Sequence, residues 1–274
     1  MESFIHELVK KTETKYQLNH SDMLADYNRE NETAKGYNGR QILELLQNCD
    51  DEGSKEVLIK LNKELNTISI SNTGTPFSEN GYRSLFISNL SSKTSKKRYI
   101  GNKGLGFRSI ITWSDSIEVI SNGISLFYSR QRRKENFERL VSVERQAQIR
   151  AEENLKNTVH PIPFLTLPKV SQVDQGDFTT TIRIHYLDKF LRDIEKQISE
   201  ITSETTLFLR HIEQIRFEGI NGKASIKCNR QVLPDDKKSF APRSLLTFSD
   251  SEWEIFEEEH ALPIEFSDTD REEE

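Results

Sequence analysis

The chain has 274 residues, long enough for one large domain, or a domain with an extension, around a sizeable core. Hydrophobic residues are 34% and charged residues 30%, and no apolar run approaches the roughly 20 residues a membrane helix needs, so a membrane partner is not expected. The net charge of −6 speaks against a general nucleic-acid clamp while leaving room for a local basic patch.

Cys49 and Cys228 are the only cysteines, too few for a disulfide framework, so a reducing, cytoplasmic setting is expected. The start, Met1 to Glu7, is not a secretory signal. The end, Asp268 to Glu274, is a charge run rather than a capped element, and points to a piece of a longer protein.

Residues 3–11 and 20–31 read as short helices, followed by a turn whose Asn38 can cap a third. That third helix, Gln41 to Asp51, is amphipathic. At about 100° per residue, Glu44, Asn48 and Asp51 fall within roughly 60° of one another. Ile42, Leu45, Leu46 and Cys49 form the opposite, core-facing stripe, and Gly53 suits a left-handed stop. A carboxylate four residues before a carboxamide can serve a magnesium nucleotide: the amide oxygen ligates the hard cation and the carboxylate activates water. Taken alone, the same face is also that of an ordinary solvated helix.

Glu56 to Leu61 and Thr67 to Ser71 alternate as an antiparallel hairpin. The second strand runs into Asn72-Thr73-Gly74-Thr75-Pro76-Phe77, where Gly74 lets backbone approach a ligand and Pro76 stiffens the exit. A polar stretch from 78 to 100 reads as a lid. It leads into Gly101-Asn102-Lys103-Gly104-Leu105-Gly106-Phe107, whose glycines suit a phosphate cradle at a helix start, although such a string taken alone is more often a tight loop-to-helix turn.

Asn122-Gly123 marks a hairpin between Ser116–Ser121 and Ile124–Tyr128. Residues 130–156 read as a peripheral helix opening on the basic run Arg130 to Lys134. Phe178 to Tyr186 is a β-branched strand containing Thr179, Thr180 and Thr181. Helical pattern follows from 188 to about 210, then a hairpin around Asn221-Gly222 and short strands around Trp253.

The ordered blocks E-x-x-x-N-x-x-D, N-x-G-x-P, G-x-x-G-x-G and a late threonine-rich strand resemble the GHKL (Bergerat-fold) ATPase superfamily. More narrowly, Glu44 to Asp51, Asn72 to Phe77, Ile100 to Ser109 and Thr206 to Ile212 resemble its sacsin and NO VEIN-like branch. The resemblance implies an α+β two-layer sandwich: a mixed, mostly antiparallel sheet with helices on one face, and ATP with Mg2+ between helices and lid. Glu44 would deprotonate the attacking water and Asn48 would ligate the metal. Asp51 would support adenine-side waters or the hydrated metal, or else hold a structural N–H. Asn72, Gly74 and Pro76 would sit at the adenine, with Thr180 or its rival Thr181 below it. Gly101, Gly104 and Gly106 would cradle the phosphates, with Leu105 and Phe107 in the same loop, and Lys103 would pair with phosphate or point outward.

The superfamily usually has aspartate where this chain has Asn72. An amide oxygen still accepts from adenine's amino group, but a neutral acceptor is weaker, so adenine affinity and selectivity over guanine are expected to change. Residues 1–190 would form the ATP-binding domain, with its lid at 78–100, and 191–274 an extension leading to further domains. The expected role is a slow ATPase acting as a conformational switch, chaperone-like or in a defence system, with self-association, further domains or a protein client as partners. The alternatives are a non-hydrolysing assembly module and a MutL-like DNA-processing ATPase using Lys93, Lys96, Lys97, Arg98 and Arg130 to Lys134.

Overall fold

The computed structural model describes residues 1–36, 39–86, 106–234, 242–249 and 251–256. Helices α1 (Glu2–Leu18) and α2 (His20–Gly36) precede α3 (Gln41–Asp51). Next come the hairpin β1 (Glu56–Asn62) and β2 (Thr67–Asn72), helix α4 (Glu79–Phe86) and a 3-10 turn over Gly106–Thr112. The hairpin β3 (Ser114–Ser121) and β4 (Ile124–Ser129) is followed by α5 (Arg130–Leu140), α6 (Val143–Glu152), β5 (Lys169–Gln172) and β6 (Thr180–Tyr186). Helices α7 (Leu191–Ser199) and α8 (Ser203–Thr206) lead to β7 (Gln214–Glu218), β8 (Ile226–Lys227), β9 (Asn229–Val232), β10 (Arg243–Thr247) and β11 (Glu252–Phe256).

The main sheet has eight strands in the order β5-β4-β3-β6-β2-β1-β7-β8. Every pairing is antiparallel except β1 with β7. Strand alternation fixes its two faces. In β6, Thr180, Ile182, Ile184 and Tyr186 are buried while Arg183 and His185 are exposed. The buried side packs on Ile42, Leu45, Leu46 and Cys49 of α3 and on Tyr82, Leu85 and Phe86 of α4. The outer side carries ion pairs such as Lys60–Glu218 at 3.1 Å and Arg183–Glu118. The protein is therefore an α+β two-layer sandwich. Among the described residues no helix is long and apolar enough to cross a membrane.

Local chemistry explains the turns. Asn122 and Gly123 both take positive φ, 57° and 70°, as a two-residue primed turn requires. Gly53, at φ 73°, stops α3 and donates its N–H to Asp50 O at 2.8 Å. Residues 130–152 form two helices, not one. Ser129 caps α5 through Arg132 N–H, and Ser142 caps α6 through Arg145 N–H, so a break falls at Val141-Ser142. The first two helices run on to Leu18 and Gly36, longer than the periodicity suggests. Tyr16, Met23 and Leu24 from them form a second core with Phe137, Leu140 and Ile149 of α5 and α6.

Both ends of α3 are held by residues distant in sequence. Its N-terminal neighbour Arg40 makes no side-chain cap, and Asn38, the expected cap, lies outside the described residues. Gln197 of α7 accepts the Ile42 N–H at 3.2 Å instead and donates to Gln41 Oε1 at 2.7 Å. At the other end Asp50 is fully buried. Its carboxylate accepts the backbone N–H groups of Arg210 at 2.8 Å, His211 at 2.7 Å and Ile212 at 3.0 Å. This carboxylate ties the end of α3 to the segment entering β7. Asp50→Asn replaces one acceptor oxygen by a donor facing those N–H groups. It should lower stability by about 2–4 kcal/mol, read as a fall in the urea midpoint at unchanged slope. An unchanged midpoint would refute this anchoring role.

Candidate functional site

Between α3, the ends of β2 and β6, the loop after β2, α4 and the 3-10 turn lies a pocket whose empty space, mouth included, is about 840 Å³. Helix α3 contributes Leu45, Asn48 and Cys49, at the one-turn spacing that puts them on one side of the helix. Glu44 is buried, 6% exposed, and its carboxylate lies against Gly106. A Cβ built on Gly106 would overlap that carboxylate and come within 2.8 Å of Glu44 Cγ. Any larger residue would force the Glu44 side chain to swing away from the turn. Asn48 is half-buried and lines the pocket. Asp51 is half-buried at the helix end; like Glu44, Gly74 and Gly106 it is not among the lining residues, whereas Glu52 is.

The opposite wall is the loop after β2. Asn72 is 5% exposed, and its Oδ1 accepts the Gly74 N–H at 3.0 Å. Gly74 has no room for a side chain: a Cβ would sit 2.8 Å from Glu52 O. Thr75 N–H donates to that same carbonyl at 2.8 Å, and Thr179 Oγ1 donates to Gly74 O at 2.6 Å or to Asn72 O at 3.0 Å. Pro76 and Phe77 line the pocket beyond this pinned turn. Thr180 lines the floor, with Oγ1 3.0 Å from Ser121 Oγ. Thr181 turns to the opposite sheet face and donates to Ser71 Oγ at 2.8 Å. Phe107 lines the pocket beside Gly106. Gly101, Lys103, Gly104 and Leu105 lie outside the described residues.

Three contributors were not singled out by sequence reasoning. Cys49 lines the pocket beside Asn72. Helix α4, inside the stretch read as a lid, supplies Ser84 and Leu85. Arg108, two residues after Gly106 and 3% exposed, donates from Nη2 to Ser84 O at 3.0 Å and Leu85 O at 3.2 Å. It thereby fastens the 3-10 turn to the last carbonyls of α4. Burial pushes its pKa below the usual arginine range, and its Nε has no hydrogen-bond partner among the described residues. The position of a cation directly after the glycine run was the available signal.

No protein-family model matches the chain, and no curated protein matches it. Among solved structures it is similar to the ATPase region of Saccharomyces cerevisiae topoisomerase II, with a TM-score of 0.39 and 15% sequence identity. The match covers 68% of this chain and 49% of that one, about half its length.

Burial moves the Cys49 thiol well off its ordinary value, up to about 12, although the contact with the Asn72 amide works the other way. A thiol raised in the folded state contributes stability that is full below the ordinary value of 9.0 and is lost as pH climbs toward 12. In a Cys228→Ser background, a thiol reagent at pH 8 should label Cys49 about a hundredfold more slowly in folded than in unfolded protein. Equal rates would contradict the buried, protonated thiol.

Proposed function

We propose that the chain binds and hydrolyses ATP, and serves as a nucleotide-dependent conformational switch within a larger protein of the GHKL type. The observation that supports this reading is the contact of the Glu44 carboxylate with Gly106, beside a pocket into which the same helix sends Asn48. The acid and the glycine exit meet each other, the amide of the same helix lines the pocket, and Leu45, Pro76, Phe77 and Ile182 give that pocket apolar lining against which a base can stack.

In hydrolysis, Glu44 accepts a proton from water as the water oxygen bonds to the γ-phosphorus. The bond from that phosphorus to the bridging oxygen breaks, leaving ADP and phosphate. Among the described residues no group of three His, Cys, Asp or Glu could hold a metal. A magnesium ion would take the Asn48 oxygen and draw its other ligands from phosphate and water, a coordination Mg2+ favours. Bound there, the cation would neutralise charge on the phosphate oxygens.

What the site joins supports the switch reading. Glycine exit and α4 are linked by Arg108, and α3 is linked to residues 210–212 by Asp50. Residues 1–190 would hold the nucleotide and 191–274 would carry its state to later domains or a second copy. Glu44→Gln should reduce ATP turnover by about a hundredfold or more while ATP affinity stays within a few-fold. Unchanged turnover would leave only a binding module. In calorimetry with and without Mg2+, Asn48→Ala should lose the magnesium dependence of ATP binding. A profile like that of the wild type would refute the metal role.

A further inference from the structure

Asn72, Cys49 and Thr180 line the same pocket, and their hydrogen-bonding polarity is legible from their partners. Asn72 Oδ1 is held by the Gly74 N–H at 3.0 Å. That N–H cannot readily move, because Gly74 is in close contact with Glu52 O and its own carbonyl is bonded by Thr179. Turning the amide over would set its NH2 against the Gly74 N–H, donor against donor. The amide is therefore fixed with its nitrogen toward the Cys49 thiol, which takes one of its two protons and leaves the other to offer a ligand. An aspartate here could give one oxygen to Gly74 and keep the other for a ligand. Asparagine cannot.

Thr180 is adaptable where Asn72 is not. Ser121 Oγ accepts the Phe77 N–H at 3.0 Å, and has one proton for two neighbours, Thr179 O at 3.2 Å and Thr180 Oγ1 at 3.0 Å. With that proton on Thr179 O, Thr180 donates to Ser121 and shows a ligand only lone pairs. With it on Thr180, the Thr180 proton is released for the ligand. The hydroxyl pair thus meets a base edge of either polarity.

A 6-keto purine presents an acceptor, O6, next to a donor, N1–H. That edge complements the Asn72 NH2 and Thr180 in its accepting state. A 6-amino purine brings a donor to the Asn72 amide and finds only the remaining lone pair of an oxygen already bonded to Gly74. We infer that the pocket does not select adenine: it takes guanine and hypoxanthine nucleotides at least as well as ATP, with Asn72 as the residue that sets this preference. The inference rests on the pocket being a nucleoside-triphosphate site, as proposed above.

The test is calorimetry of the full chain with ATP, GTP and ITP, each with Mg2+, on wild type and Asn72→Asp. Wild type should bind ITP and GTP within about threefold of ATP or more tightly, and Asn72→Asp should swing the ratio toward ATP by about tenfold or more. ITP at the level of ATP with GTP weaker would overturn the guanine half of the inference and place the limit at the 2-amino group, the one difference between the two keto purines. Wild-type binding of ATP about tenfold or more tighter than of both GTP and ITP overturns it, as does an unchanged ratio in a folded Asn72→Asp. If that variant fails to fold, judged by circular dichroism, the wild-type ratio decides. Failure of all three nucleotides to bind overturns the nucleotide reading itself, an outcome distinct from rejection of the keto purines alone.

Discussion

A missing side chain lets this site form. Where any other residue would place a Cβ, Gly106 leaves space that the Glu44 carboxylate occupies, and this brings the exit of the glycine run against the acid of α3. The close approach brings together two segments some sixty residues apart in the chain, beside the pocket that Asn48 and Phe107 line.

Helix α3 could not keep that position by itself. Eleven residues are too few for an isolated helix to be stable in water, so packing and end contacts must hold it. Its apolar stripe is buried on the sheet, Gln197 accepts the Ile42 N–H, and Asp50 binds three backbone N–H groups from the segment entering β7. The same bonds have a second consequence. Any shift of α3 is felt by residues 210–212 and by β7, which is paired in parallel with β1. Arg108 gives the other wall an equivalent tie, from the 3-10 turn to α4. A ligand pulling these walls together would thus act on both the α4 end and the C-terminal segment.

Much of the fold was legible in the sequence because it is written locally. The period of α3, the alternation of β1, β2 and β6, the left-handed stop at Gly53 and the Asn122-Gly123 turn all depend on neighbours within a few residues. What escaped depends on distant partners. Thr180 and Thr181 are indistinguishable in sequence, and only the pairing of β6 with β2 and β3 decides which one meets the pocket. Asp50 looks like one more acid in a polar helix end until residues 210–212 come to it from across the fold. Asp51, chosen for its angular position on the helix, is not among the lining residues, which at that end of α3 include Glu52. The single helix expected over 130–156 gives way to two because two serines cap in succession. Ser84, Leu85 and Arg108 were hidden for a related reason: α4 lies in a stretch whose polarity suggests a loop, while its buried residues Tyr82, Leu85 and Phe86 make it part of the core.

The central claim is that α3 and the Gly106 turn close on a triphosphate. A co-crystal structure with Mg2+ and a non-hydrolysable ATP analogue tests it most directly. The account predicts the terminal phosphate between the Glu44 carboxylate and Gly106, with the Asn48 oxygen on the metal. Nucleotide bound elsewhere on the molecule, or phosphates pointing away from Glu44, would contradict it.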